Sequence, residues 1–420
     1  MMNLIIKSAL ITDPNSPFNN QTADILITDG TISKVGTIDD AGDAEIFNAA
    51  GKHVSPGFLD LNCNIGELGF ETKEDINTGT SAAAAGGFTA LALMPNTQPP
   101  VHSKAEVEYL INRSRGNLVD IYPLGTISHK REGKDLAEMF DMYSSGAKAF
   151  TDGNRPVQDA GLMERALLYV QGFGATVFSY PEDTAIVGKA KVNEGHISTL
   201  LGMKGIPPLA EELMVARDLY LAEYTDTKLH FSTITTSRSV ELIREAKKRG
   251  IKVTCDVAAH HLVLTDEVLL GFDSLYKVKP PLRTQADVDA LIVGLNDGTI
   301  DAIVSQHTPH EIEFKDVEFE IAEYGIIGLQ TVFSLAVQAG LSANIIVQKL
   351  AVNPRQILSV GTPVIAEGRK ANLVVFDTAQ EWEYNKANNL SRSSNSPFLS
   401  HKLTGRVLLT CNNNQFYKSK

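Results

Sequence analysis

The stretch PGFLDLNCNIGEL, residues 56–68, opens as an apolar run and closes on two asparagines two positions apart. Successive side chains of a strand point to opposite faces, so Asn62 and Asn64 share one face and Cys63 between them turns to the other, toward a core. The pattern of the chain also changes here. Upstream, short alternating segments (NLIIKSALIT, ADILITDGTISKVG, EIFNAAGKHV) with Asp29-Gly30 as a turn read as β-structure. From Ser55 onward, short apolar runs are separated by amphipathic segments of helix length, the pattern of βα units around a parallel sheet. Strands are predicted at 55–61, 88–94, 119–125, 147–150, 175–179, 228–232, 252–257 and 301–305, which makes eight.

Two of the intervening segments, 209–225 and 237–250, carry apolar residues at three- and four-residue spacing. For the second, Ser237 is the expected N-cap and Gly250 the stop, with Lys247, Lys248 and Arg249 in the last turn. After about residue 365 the chain returns to short strands, ANLVVFD and GRVLLTC. A β-rich start and a β-rich end bracket the βα units, so residues 1–54 and 365–420 are expected to form one small domain and 55–364 a barrel. An eight-stranded βα barrel carries its site at the C-terminal ends of the strands. The residues placed there are Asn62 and Asn64, Asn96, His129, Asp152, Tyr180, Thr233, His260 with His261, and Gln306 with His307 and His310.

At 420 residues with 43% hydrophobic content the chain is long enough to bury a sizeable core. A net charge of −12 without any basic run argues against a nucleic-acid surface. Cys63, Cys255 and Cys411 are far apart and show no zinc-site spacing, which fits a reducing cytoplasm. The apolar stretch at the N-terminus is too short and interrupted for a signal peptide or membrane span, so a cytoplasmic protein with no membrane association is expected.

PGFLDLNCN, TGTSAAAAGGFTALALMPNTQP, AKAFTDG, EELMVARDLYLAE, AAHHLVLTDE, KVKPPLR, IDAIVSQHTPH and KANLVVFD stand in an order that resembles the dihydroorotases of the amidohydrolase superfamily, in the subgroup related to allantoinases and dihydropyrimidinases. The resemblance implies an α/β fold, a (βα)8 TIM barrel with a small β-sandwich built from both chain ends. It also implies chemistry that interconverts dihydroorotate and carbamoyl aspartate. A zinc site polarises the ring carbonyl and activates water, and a carboxylate moves the proton.

Carried over residue by residue, the family's metal and general-base positions fall on Asn62, Asn64, Asp152, Tyr180, Thr233 and Gln306. Five of these six are not the residues the family uses; Asp152 alone is kept. Zinc is held by Cys, His and carboxylate groups, and a carboxamide at Gln306 does not titrate as a general base. The resemblance therefore implies no metal and no catalytic group at these positions. Among substrate contacts, Asn96, His310 and the pair Tyr324 and Gly325 match. The family arginine falls on Gly66, and an asparagine falls on Lys279, a point charge of different reach.

Two expectations follow. The first is a non-catalytic dihydroorotase-like protein with a structural or regulatory role in pyrimidine biosynthesis, since some bacterial aspartate transcarbamoylases assemble with an inactive dihydroorotase-like subunit. Aspartate transcarbamoylase is then the expected partner, beside a homo-oligomeric state and a small-molecule ligand in the barrel mouth. The second is an active dihydroorotase or related cyclic amidohydrolase with a rearranged site, for which His129, His260, His307, His310 and Asp152 are the candidates. Blander roles stand beside these: Asn62 and Asn64 as polar strand ends, Asp152 as a turn residue with a short-range backbone bond, His260 and His261 as buried structural groups, and Tyr180 as a filler of vacated space.

Overall fold

The computed structural model describes residues 2–40 and 42–419. Eight parallel strands follow one another around a barrel: β1 (Phe58–Cys63), β2 (Phe88–Leu93), β3 (Asp120–Pro123), β4 (Ala149–Phe150), β5 (Thr176–Ser179), β6 (Leu229–Phe231), β7 (Val253–Ala258) and β8 (Ala302–Val304). Continuous ladders join β1 to β3 and β4 to β8. Bridges Gly125–Phe150 and Cys63–His307 connect the two arcs and close the ring. Each predicted strand overlaps an observed one, the ends differing by up to three residues.

The strands sort their apolar side chains into two groups. Phe58, Cys63, Phe88, Leu91 and Leu93 pack against helix residues such as Ile76, Ala83, Val107 and Leu110. Leu59, Leu61, Ala90, Ala92, Phe178, Ala258, Ala302 and Val304 pack strand to strand, with Ile357 added from the short helix Asn353–Ile357 and Leu358 from its C-cap. Burial on both faces is what makes these segments read as continuous apolar runs.

The predicted helix 209–225 is the helix Leu209–Thr225. The cap of the helix Ser237–Lys248 lies one residue earlier than expected: Thr236, not Ser237, is the N-cap, and its hydroxyl accepts from the Ser239 amide. Ser237 is instead the first helical residue, and its amide is taken by Asp287 at 2.9 Å. Lys247 and Lys248 occupy the last turn, and Gly250 follows the C-cap Arg249 in the left-handed region at φ +84°.

Strands from both chain ends form one eight-stranded sheet ordered 415–418, 401–412, 373–384, 53–56, 4–11, 22–28 and 31–36, with 45–48 pairing alongside 4–11. The Asp29-Gly30 turn joins 22–28 to 31–36 with positive φ at both residues, as a tight hairpin requires. Its buried side has a core of its own, including Leu4, Ile6, Ile25, Ile27, Val54, Leu373 and Leu409. No helix among the described residues is long and apolar enough to cross a membrane.

Candidate active site

A cavity of about 400 Å³ opens at the C-terminal ends of the barrel strands. Asn62, Asn64, Tyr180 and Gln306 line it, and so do Asn96, Lys279, His310, Tyr324 and Gly325. Asp152 and Thr233 stand behind the wall, which their neighbours Gly153, Asn154 and Ser232 form instead.

The side chains at the strand ends bond mainly to protein. Asn62 Nδ2 donates to Ser232 Oγ and Thr233 Oγ1, both at 3.3 Å. Asn64 Nδ2 donates to the His307 carbonyl at 3.0 Å and to Thr308 Oγ1 at 3.1 Å, while its Oδ1 accepts from Asn96 Nδ2 at 2.6 Å. Gln306 Nε2 donates to the Lys279 carbonyl at 3.0 Å. Thr233 gives its amide to Asp256 Oδ1 at 2.7 Å and its hydroxyl to the same oxygen at 3.2 Å.

Both Thr233, at φ +62°, and Gln306, at φ +47°, sit in the left-handed region, uncommon for any residue but glycine, most of all for β-branched Thr233, and concentrated at functional or switch positions. The Tyr180 hydroxyl is buried with no protein partner, and burial pushes it far above the ordinary phenol range, so it stays a neutral donor.

Asp152 keeps the expected short-range turn bond, its carbonyl accepting from the Arg155 amide at 3.2 Å, while its side chain reaches further. Its carboxylate accepts from the backbone amides of Ile127 at 2.9 Å and Ser128 at 3.0 Å and from the Ser128 hydroxyl, tying β4 to the segment after β3. Burial raises its pKa, against the lowering effect of these bonds. The next residue must be small, because a Cβ on Gly153 would lie 2.0 Å from Asn96 Oδ1.

The charges around the mouth are arranged in pairs. Lys279 Nζ meets Glu182 Oε1 at 2.8 Å and lies 5.9 Å from the Tyr324 ring centre. His310 Nε2 donates to the Tyr324 carbonyl at 3.0 Å, which leaves Nδ1 as the acceptor for Lys73 Nζ at 3.4 Å. Burial and then the Lys73 charge push His310 down to about 4, so its imidazole is neutral at physiological pH. Further in, the Gly328 amide donates to His307 Nδ1 at 3.2 Å, and Nε2 faces Glu74 Oε2 at 3.3 Å. Burial alone would raise Glu74; contacts from His307, Ser391 and Thr78 hold its carboxyl below the ordinary range instead.

Two further anchors, Asn395 and Lys277, shape the cavity. Asn395 accepts the His310 amide at 3.0 Å and donates to the carbonyls of Thr308 at 2.9 Å and Gly325 at 3.1 Å. Lys277 donates to the carbonyls of Phe319 at 2.7 Å, Glu320 at 3.0 Å and Ala322 at 2.6 Å, pinning the loop that delivers Tyr324 and Gly325. Lys73, Glu74, Glu182, Lys277 and Asn395 are missed by strand-end reasoning, since none follows directly on a barrel strand.

The candidates for a rearranged site are not gathered together. His129 is exposed and packs edge-on against His102 at 5.0 Å. His260 and His261 are buried with ring centres 4.4 Å apart, and burial lowers both, His261 to about 4. Among the described residues no group of three or more His, Cys, Asp or Glu side chains is placed to hold a metal ion. The zinc expected of the family therefore does not fit the groups present at the strand ends, three of which, Asn62, Asn64 and Gln306, are neutral amides turned toward protein partners.

A closed βα barrel, a sheet made from both chain ends and a polar cavity at the strand C-termini define an amidohydrolase-type TIM barrel. The solved L-hydantoinase (dihydropyrimidinase) from Arthrobacter aurescens superimposes with a TM-score of 0.87 at 22% identity, covering 100% of this chain and 97% of that one. A D-hydantoinase structure gives 0.82 at 24% identity, over 100% and 96%. The Dihydro-orotase-like family model matches residues 51–239. Proteins named dihydroorotase from Acetivibrio thermocellus, over 413 residues, and Geotalea daltonii, over 415, are each 43% identical, with 97% of either chain covered. The chain belongs to the dihydroorotase-like family.

Proposed function

We propose that this chain is a dihydroorotase-like protein whose barrel mouth no longer carries the family's metal chemistry, and that it serves pyrimidine biosynthesis as a structural or regulatory subunit. One observation carries the reading: Asn62, Asn64, Thr233 and Gln306 are bonded to the protein itself, through groups that neither titrate nor bind zinc well. Losing one ligand leaves a site that others can sustain. Replacing five leaves nothing for surrounding groups to orient. Aspartate transcarbamoylase is the proposed partner, and the cavity, with Asn96, Lys279, His310, Tyr324 and Gly325 on its wall, is the proposed seat of any small-molecule ligand.

The experiment is metal analysis beside a dihydroorotate hydrolysis assay with and without added zinc. The expected result is well under one zinc per chain and no turnover above background. Co-purification with aspartate transcarbamoylase tests the partner, and a transcarbamoylase that behaves identically without this chain counts against it.

A second reading is favoured by the 43% identity to proteins named dihydroorotase across nearly the whole chain. On that reading the protein opens or closes a cyclic amide through a rearranged site, for which His129, His260, His307, His310 and Asp152 are the candidate groups. One bound metal per chain with measurable turnover selects it.

A further inference from the structure

A second cavity, of about 430 Å³, lies between the end sheet and the helix Val332–Gln338. The helix contributes Phe333, and three neighbouring strands of the sheet contribute Trp382, Arg406 and Tyr417. Asn388 and Leu390, from the turn that follows Tyr384, complete the wall. None of these residues belongs to the barrel mouth, and the volume is that of a small-molecule site.

The groups on the wall fit one kind of ligand. Trp382, the only tryptophan of the chain, is half-buried, and its Nε1 donates to Ser334 Oγ at 3.1 Å and to the Gly405 carbonyl at 2.9 Å. Its ring is therefore held in place before any ligand arrives. The Arg406 guanidinium lies 5.8 Å from the Trp382 ring centre, within cation–π range. Lys418 is a second cation on the wall, half-exposed, and also meets Glu45 at 3.3 Å. Among the described residues that line the cavity there is no carboxylate side chain, on a chain of net charge −12. An aromatic face takes a flat ring by stacking. A guanidinium, with five N–H donors in a planar fork, takes a carboxylate or phosphate beside it.

The turn on the wall also leads to the barrel mouth. Gln330 holds it by both ends of its amide: Nε2 donates to the Asn388 carbonyl at 2.9 Å, and Oε1 accepts from the Leu390 amide at 2.8 Å. Directly after it, the Arg392 amide donates to Glu74 Oε1 at 3.0 Å, and Asn395 fastens His310, Thr308 and Gly325. One short segment thus borders this cavity and secures the other.

We propose that this cavity binds a planar aromatic ring carrying a carboxylate or a phosphate, stacked on Trp382 with its charge at Arg406 and Lys418, and that the bound ligand steadies residues 385–395. The proposal is independent of whether the barrel mouth is catalytic. It is tested on the full chain through Trp382 emission, which no other tryptophan masks. Nicotinate and adenosine 5′-monophosphate are the probes, one for a carboxylate source and one for a phosphate source. Nicotinamide and adenosine supply the same rings without the charge.

At least one of the two anions is expected to quench Trp382 saturably and to bind about tenfold or more tightly than its uncharged counterpart. Arg406→Gln is expected to weaken that binding by about tenfold with an unchanged circular dichroism spectrum, and Lys418→Gln, at an exposed position, to weaken it in the same direction. Lys279→Met, in the mouth, is expected to leave it unchanged. Amide exchange across residues 385–395 is expected to slow in the bound state. Four results overturn the proposal: no saturable quenching by either anion, an uncharged ring that binds as tightly, binding undiminished by both Arg406→Gln and Lys418→Gln, or binding lost in Lys279→Met. Amide exchange that is the same with and without ligand overturns it equally.

Discussion

Asn96 Nδ2 donates to Asn64 Oδ1 at 2.6 Å, so the loop after β2 is clasped to the end of β1 by one amide holding another. Asn64 passes the clasp on to the β8 end through the His307 carbonyl and Thr308. Replacing Asn64 with Ala removes all three bonds and leaves the Asn96 amide without its partner, while the His307 carbonyl keeps the backbone amide of residue 64 at 2.9 Å. The expected cost is about 2–3 kcal/mol, read from urea unfolding. A change below about 0.5 kcal/mol would show that water replaces the clasp without loss.

Gly66, the position onto which the family resemblance carries a carboxylate-gripping arginine, lies on the cavity wall with the local backbone closed over it. A Cβ there would lie 2.0 Å from the Phe70 carbonyl oxygen and 2.9 Å from that of Glu74, and the Phe70 amide donates to the Gly66 carbonyl at 2.7 Å. Gly66→Ala is therefore expected to destabilise by about 2 kcal/mol or more, and Gly66→Arg to fail to restore any carboxylate grip. Thermal unfolding checks the first, and calorimetric titration with dihydroorotate checks the second.

The Lys279–Glu182 pair couples the β5 end to the loop carrying KVKPPLR, with Glu182 only 7% exposed and Lys279 at 28%. Removing one partner strands the other charge in a poorly solvated place. Lys279→Met is expected to cost about 1–3 kcal/mol, and Lys279→Met combined with Glu182→Gln less than the sum of the single changes. A double-mutant cycle that closes to zero would mean the pair is a solvated contact without coupling.

Asp60, fully buried on β1, supplies a pH signature. Burial raises its carboxyl from 3.8 to about 7, against hydrogen bonds from Ser305 and Asn62. Between those values the unfolded chain ionises this group while the native barrel keeps its proton. The native state then binds the extra proton, and stability falls as pH rises toward 7. The contribution is on the order of a few kcal/mol. Asp60→Asn is expected to flatten that decline, read from denaturation midpoints across the window.

The eight strands, the long helices and the β-structure at both ends were legible because each rests on local information: apolar periodicity, run length and turn residues. The N-cap slipped by one position, from Ser237 to Thr236, because two adjacent hydroxyl residues compete for the role. The winner is the one whose oxygen reaches Ser239, while Asp287, fifty residues on, takes the Ser237 amide.

The residues at the cavity wall were largely legible too, since a strand end in a barrel fixes which side chains face the mouth. Strand-end reasoning placed Asn62, Asn64, Asn96, Tyr180, Gln306 and His310 at the mouth, where they line the cavity, while Lys279, Tyr324 and Gly325, also on its wall, were indicated by the family resemblance alone. Only the tertiary structure decided what these groups do there. Asp152 reaches back to Ile127 and Ser128, Glu74 finds His307, and Asn395 fastens His310, Thr308 and Gly325 from the far end of the chain. A hydrogen bond depends on distance and direction in space, and partners separated by 24 to 233 residues leave no periodic trace in the sequence from which they could be paired.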